Sequence, residues 1–484
     1  MEQILLKKIK KKLKSIKTEN IYIIIAIFFG LIVLFLIPPT YIPDEAPHFY
    51  RAYMLTDFKM DVYRSPNGTI GAELPVNLVK FIMSDAFQWR LGAKANSKME
   101  LNDVISLSDK KLDQDNKKFF TIKKLDGAAL EYTPIPYIFS SQGILLGRFF
   151  NLPPLWLLYL GRIFNMIAFI FFVYLAIKIT PVGKLIFLSL ALMPMCIMIG
   201  SIISIDNFTI SIVFLLVAYI LKLSHDPNIK LIKKEHLLVL SAIVLFLSFS
   251  KQVYIFLILL FFIIPFNKFK KRRYYLAFFC MLCLIVIITN GIWMVFTLKT
   301  NINESFNALN INKINSGHGD NILSYRIKSI IPFIKSMYYE PDWLSYTARF
   351  TGINRINKEK FNEVGKLSIV LGSIYLLFIL FISFTCYSKI KINIKNKLII
   401  LFNFIIVFLI IFYIFFQLFY PEKNYIIKGV QGRYFIPIAP LLFLFLLNNK
   451  IKLNRLFLNT LTVSFATCFL IVNFLLLLKN TWIL

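Results

Sequence analysis

Four ionisable side chains crowd the stretch "PDEAPHFYRAY" at positions 43–53: Asp44, Glu45, His48 and Arg51. Prolines suit the first turn of a helix, and an acid just ahead of it caps free backbone N–H groups. A helix beginning near Asp44 places Asp44, His48 and Arg51 at i, i+4 and i+7, on one face. A carboxylate can take the proton of an attacking hydroxyl, and a guanidinium can hold a phosphate in two places, so such a face suits group transfer. The plainer alternative is that Asp44 only caps the helix while Arg51 rests among lipid headgroups.

Three later stretches carry groups of matching chemistry. "GSIISIDNFTI" sets Asp206 at the start of an apolar run, where it either caps a helix or joins Asp44. "LSFSKQVYIF" holds Lys251 in a tight turn between two apolar runs. Its ammonium either snorkels to lipid phosphates or grips the phosphate of a bound lipid substrate. "KGVQGRYFIPIAPLL" offers Gln431, Arg433 and Tyr434, with Gly429 and Gly432 allowing close approach of backbone to a ligand. The alternative there is an Arg–Tyr anchor in the aromatic belt of a membrane interface.

The elements that must position these groups are membrane helices. Of 484 residues, 58% are hydrophobic and 17% charged, and the mean hydropathy is +0.69, whereas a soluble domain is about a quarter charged. Apolar runs at 20–38, 155–177, 184–200, 207–222, 236–249, 252–266, 274–297, 366–387, 397–419, 434–448 and 455–479 predict an all-α polytopic protein with about eleven spans. The net charge of +30 comes from basic clusters between the runs, at Lys7 to Lys17, Lys230 to Lys234, Lys268 to Arg273, Lys389 to Lys397 and Lys450 to Arg455. With the N-terminus inside and the C-terminus outside, every cluster falls in the cytoplasm, together with Lys178 and Lys184. That distribution excludes a nucleic-acid-binding reading, and it sets Asp44, Glu45, His48, Arg51, Asp206, Lys251, Gln431, Arg433 and Tyr434 on the outer side. Ionisable groups at membrane level are costly and usually functional.

The same topology divides the chain into five parts. Residues 1–38 form a basic cytoplasmic N-terminus and the first span, read as an uncleaved helix because its apolar part is too long for a signal peptide. Residues 39–154 form a large outer loop, 155–297 a bundle of six spans, 298–365 a second outer loop, and 366–484 the last four spans. Both loops exceed the length of simple connectors and suit a cap over the bundle. "PIPYIFSSQGILLGRFF", 134–150, reads as an amphipathic or re-entrant helix, since a twelfth span would place the later lysine clusters outside. Cys196, Cys280, Cys283, Cys386 and Cys468 all lie in apolar runs and read as packing residues, and the four histidines are scattered, so no metal site is expected.

"PDEAPHFYRAY", "YTPIPYIFSSQGILLGRFFNLPP", "YLGRIFNMIAFIFFVYLAIKITP", "SIDN", "SKQVY" and "QGRYFIPIAPLL" resemble, in order, the landmarks of the bacterial membrane family called domain of unknown function 2142. "SYTARFTGI" near Arg349 departs from that family's pattern, and no role is carried onto it. The family is similar to GT-C glycosyltransferases, whose first outer loop opens on an acidic pair. The resemblance implies a GT-C-like fold in a bacterial plasma membrane, with Asp44 and Glu45 as the catalytic pair. It further implies a polyprenyl-phosphate-linked sugar donor, a glycan or teichoic-acid acceptor, and a polyprenyl-phosphate-sugar synthase and a flippase as partners. The residues suit that reaction, because a proton must leave the acceptor hydroxyl and cations must steady the departing phosphate. A phosphate leaves unprotonated, so no divalent metal is required. The competing expectations are a flippase for lipid-linked saccharides, and a non-catalytic partner of a polysaccharide machine. A flippase needs polar residues at mid-membrane depth, and most of the runs are clean, apart from features such as Arg162, Asn165 and Asn290.

Overall fold

The computed structural model describes residues 17–39, 44–64, 69–83, 100–107, 111–123, 128–299, 329–339, 343–352, 363–386, 388, 390–419, 427, 429–448 and 450–482. The basic stretch before Lys17, Tyr41 to Pro43 and the polar stretch 301–321 of the second outer loop lie outside the described residues.

Helix α1 (Thr18–Leu36) runs through an unbroken apolar stretch and ends before two prolines, Pro38 and Pro39, which cannot continue it. There follow α2 (Glu45–Thr56), strands β1 (Tyr63–Arg64) and β2 (Thr69–Pro75), α3 (Val76–Ile82), α4 (Leu101–Ser106), β3 (Lys117–Lys123) and α5 (Ile138–Phe149). The three strands form one antiparallel sheet, in the order β1-β2-β3. The sequence reading offered only helices and loops in this region. β3, "KKFFTIK", was masked by its lysines, which edge strands tolerate well.

The bundle comprises α6 (Pro154–Ile179), α7 (Lys184–Ala191), α8 (Pro194–Gly200), α9 (Ile205–His225), α10 (Lys234–Ser248) and α11 (Arg272–Lys299). After α12 (Ile330–Tyr339) and α13 (Trp343–Thr351) come α14 (Glu363–Thr385), α15 (Ile394–Phe419), α16 (Ala439–Phe445) and α17 (Arg455–Thr481). Among the described residues seven helices, α1, α6, α9, α11, α14, α15 and α17, are long and apolar enough to cross a bilayer.

The remaining four of the eleven expected spans are short or divided. The run 184–200 breaks into α7 and α8 at Pro194, and α10 has 15 residues. The run 434–448 folds as a 3₁₀ turn, Gly432–Phe435, followed by the seven-residue α16. The run 252–266 is a 3₁₀ helix over Gln252–Ile263, 12 residues long where such helices rarely exceed one or two turns. At about 2.0 Å per residue it extends roughly 24 Å, against roughly 18 Å for an α-helix of equal length. The tighter winding therefore carries Lys251 farther from the basic Phe266–Lys268 turn at its other end.

α9 is the central element: 89% of its most apolar stretch is buried, against 17% for α11, whose Ile287 and Ile292 face outward. α5 is 12 residues long, too short to cross a bilayer, and it packs along α6. A Cβ on Gly143 of α5 would stand 2.4 Å from the Leu160 carbonyl oxygen, so the two helices meet backbone to backbone, as small residues permit.

The two ends of the bundle differ in charge. At one end Lys184 pairs with Glu19 at 3.4 Å and donates to the Lys178 carbonyl, Lys268 donates to the Leu223 carbonyl, and Lys397 to that of Leu447. Asp206, with Lys251 and Arg433 beside it, lies in the first turn of α9, at the opposite end of that helix from Leu223.

Candidate functional site

Asp44 precedes α2 with φ at 69°, a left-handed conformation that aspartate tolerates better than most side chains. Its carboxylate makes no capping hydrogen bond and instead reaches Arg433, Nη2 to Oδ2, at 2.8 Å across 389 positions of sequence. The cap expected of Asp44 is thus replaced by an ion pair.

Asp206 stands in the first turn of α9, where the helix dipole favours an anion. Ser204 does the capping, its Oγ accepting from the Asp206 backbone N–H at 3.1 Å, so the carboxylate is left for cations. Oδ1 pairs with Lys251 and Oδ2 lies 3.3 Å from Arg433 Nε. Lys251 also sits over the Tyr434 ring, 4.4 Å from its centroid, and so does not snorkel freely. Burial opposes the charge on Lys251, but Asp206 with Tyr132 and Tyr434 holds its pKa above the ordinary lysine range. Arg433 is buried and likewise held in its charged form, chiefly by Asp206.

These groups face one cavity of about 620 Å³, a size common for small-molecule sites. Asp44, His48, Asp206, Lys251, Gln431, Arg433 and Tyr434 all line it, so seven of the nine residues singled out from sequence converge. Ile411, Ile414 and Phe415 of α15 form an apolar wall, and the Tyr434 ring stacks on Phe415 at 5.5 Å.

The other two are committed elsewhere. Glu45 was expected beside Asp44 as its catalytic neighbour, yet the adjacent carboxylates diverge. Glu45 is wholly buried against Arg162, with Nε to Oε1 at 2.7 Å and Nη2 to Oε2 at 2.6 Å. Arg162 also donates to the carbonyls of Leu34, Ile37 and Pro38 at the end of α1. This arginine, read from sequence only as a polar interruption of a span, locks α1, α2 and α6 together. Arg51, expected on the ligand face, donates to the carbonyls of Tyr132 (3.0 Å) and Met60 (2.9 Å) and holds a wall of the cavity from behind.

Glu131, Tyr132 and Thr133 also line the cavity, as do Asn290 and Trp293 of α11. Thr133 donates to the Phe249 carbonyl at 2.8 Å, and the Trp293 indole donates to that of Glu131 at 3.3 Å. None of the five was proposed as a site residue. The tyrosine–threonine pair opening "YTPIPYIF" was the signal for two of them, and Asn290 interrupting an apolar run for a third.

His48 is buried, with Nδ1 2.6 Å from the Tyr137 hydroxyl and its ring stacked against Tyr132 at 6.1 Å. Burial lowers its pKa to about 4; Asp44 and Asp206 oppose that shift, and Lys251 and Arg433 add to it. The imidazole is neutral at physiological pH.

Gly432 was expected to let backbone approach a ligand. The approach is instead to α13, where a Cβ on Gly432 would stand 2.4 Å from both the Phe350 nitrogen and the Tyr346 oxygen. The α13 segment, "SYTARFT" at 345–351, thereby backs the Arg433 loop. Among the described residues no three histidine, cysteine or acidic side chains are placed to share a metal ion.

No curated protein and no solved structure matches the chain. Residues 27–442, which contain every cavity-lining residue, match the family described as "Predicted membrane protein (DUF2142)", and the chain belongs to that family of membrane proteins.

Proposed function

We propose that this protein is a GT-C-like glycosyltransferase. It moves a sugar from a polyprenyl-phosphate donor to a cell-surface glycan or teichoic-acid acceptor, on the outer face of a bacterial plasma membrane. The observation that carries the reading is the meeting of Asp44, Asp206, Lys251 and Arg433, from four distant segments, in one cavity with an apolar wall. That combination of cations and hydrocarbon suits a phosphate joined to a long apolar chain.

In this reading the acceptor oxygen attacks the anomeric carbon, and its proton passes to the Asp44 carboxylate. The bond between that carbon and the phosphate oxygen breaks, the electron pair leaving with the phosphate. Lys251 and Arg433 stabilise the charge that grows on it. Asp206 keeps both cations in place, because it touches each. An arriving phosphate competes with Asp44 for Arg433, and the Asp44 carboxylate, half exposed, is freed to act as the base. Glu45 serves the proposal as part of the Arg162 clamp that fixes the start of α2.

The test is transfer from a labelled polyprenyl-phosphate sugar to a glycan acceptor by the purified protein. Asp44→Asn keeps the side-chain shape and the tolerance for left-handed backbone while removing the base. Transfer should fall roughly 10²- to 10⁴-fold. Normal transfer by that variant would overturn the assignment.

A further inference from the structure

His48 lines the cavity from α2, one helical turn beyond Asp44, and is 5% exposed. Its Nδ1 points at Tyr137, which is 1% exposed and is not part of the cavity wall. The ring edge that meets the cavity is therefore the opposite one, bearing Nε2.

The Tyr137 hydroxyl decides where the imidazole proton sits. A buried O–H must place its single hydrogen on an acceptor, and among the described residues its hydrogen-bond partner is His48 Nδ1, at 2.6 Å. If Nδ1 carried the proton, the phenolic hydrogen would be buried without an acceptor. Nδ1 thus accepts from the hydroxyl, and a neutral ring in that arrangement carries its hydrogen on Nε2.

The ring is also held across its face. Tyr132 stacks on it with an interplanar angle of 12°, and Arg51, on the same helix as His48, fastens the Tyr132 backbone by the 3.0 Å bond to its carbonyl.

We propose that His48 serves the cavity as a neutral imidazole locked in the Nε2–H form, donating a hydrogen bond to a phosphate oxygen of the ligand. Among the described residues the cations that line the cavity are Lys251 and Arg433, and each faces a carboxylate, Asp206 or Asp44. A phosphate enters charges that are already compensated, so a donor that brings no charge of its own adds a bond without recruiting another counter-ion. Burial disfavours the imidazolium form, in the same sense as this role requires. The phosphate rests on the glycosyltransferase reading; the position of the proton does not.

The experiment is ¹⁵N spectroscopy of the full-length protein labelled at its four histidines. The His48 signals are assigned by their loss in His48→Gln, and again by their displacement in Tyr137→Phe, which keeps the ring. At pH 7 the proton is expected on Nε2 alone, with the preference weakened in Tyr137→Phe. A proton on Nδ1, or a doubly protonated ring, would overturn the assignment. Polyprenyl phosphate in mixed micelles is then titrated in, with inorganic phosphate in a parallel sample. A shift of the Nε2–H signal with the lipid alone identifies a lipid-phosphate site, and a shift with both at equal concentration identifies a free-phosphate site. Either supports the donor role, and the affinity should fall roughly tenfold in His48→Gln. No shift with either probe overturns it. If the Nε2–H shift is found but Asp44→Asn leaves transfer intact, the histidine assignment stands and the catalytic reading fails. The converse outcome separates them equally well.

Discussion

Breaking the Glu45–Arg162 clamp tests most directly what holds the site together. Arg162 has five N–H donors, and each has an acceptor: two carboxylate oxygens of Glu45 at 2.6 and 2.7 Å, and the carbonyls of Leu34, Ile37 and Pro38 at 2.8 to 3.2 Å. Both side chains are fully buried. Arg162→Met leaves the Glu45 carboxylate without its counter-ion and uncaps the α1 carbonyls, an effect of about 3–5 kcal/mol. Glu45→Gln leaves the buried guanidinium without its counter-ion and turns an amide NH2 toward one of its N–H groups, so its cost should fall in the same range of about 3–5 kcal/mol. The double variant Glu45→Gln/Arg162→Met removes both charges and should be less destabilised than Arg162→Met alone. The assay is reversible unfolding in mixed micelles across the four proteins of this cycle, with coupling read as the departure from additivity. Coupling below about 0.5 kcal/mol would refute the clamp, as that is the scatter expected of independent sites. Stability unchanged in Glu45→Gln, with transfer lost, would return Glu45 to the chemistry beside Asp44.

Further expectations concern the cavity. Lys251→Met should weaken binding of polyprenyl phosphate by roughly 10-fold or more, given the 1.5–3 kcal/mol of a hydrogen bond to a charged group, while Lys251→Arg retains part of it; equilibrium binding in micelles checks this. Gly432→Ala sets a methyl group against the α13 backbone, which cannot yield as a side chain would, and should destabilise the Arg433 loop by about 1–3 kcal/mol, visible as faster hydrogen exchange there. The pH dependence has a definite sign. His48 has a folded pKa near 4 against the usual 6.5, so between those values the unfolded chain binds the extra proton, and stability falls as pH drops through that window. The loss is on the order of 3 kcal/mol, and His48→Gln should abolish that part of the slope in unfolding measured at pH 4.5 and pH 7. An unchanged slope would contradict the burial argument.

Composition and periodicity were enough to read the class and, among eleven runs taken as spans, the seven long helices. Each of these follows from local hydropathy, which a bilayer enforces residue by residue. Asp44, Asp206, Lys251 and Arg433 were legible for a related reason: a charge at the edge of an apolar run stands out in one dimension. The same logic could not tell an α-helical span from the 3₁₀ helix Gln252–Ile263 or the divided α7 and α8, because all three are predominantly apolar. Nor could it reveal the Lys-rich β3, whose strand character is carried by its pairing with β2.

Two decisions belonged to tertiary structure alone. Asp44 and Glu45 are neighbours of equal charge, yet the left-handed turn at Asp44 sends one to Arg433 in the cavity and leaves the other for Arg162 in the core. His48 could be base, ligand or core residue until Tyr137, 89 positions away, fixed which edge of its ring meets the cavity. A sequence states which groups carry charge and hydrogen-bonding capacity. Which partner satisfies each one depends on packing across hundreds of residues, and in a low-dielectric interior that partner sets what the group can do.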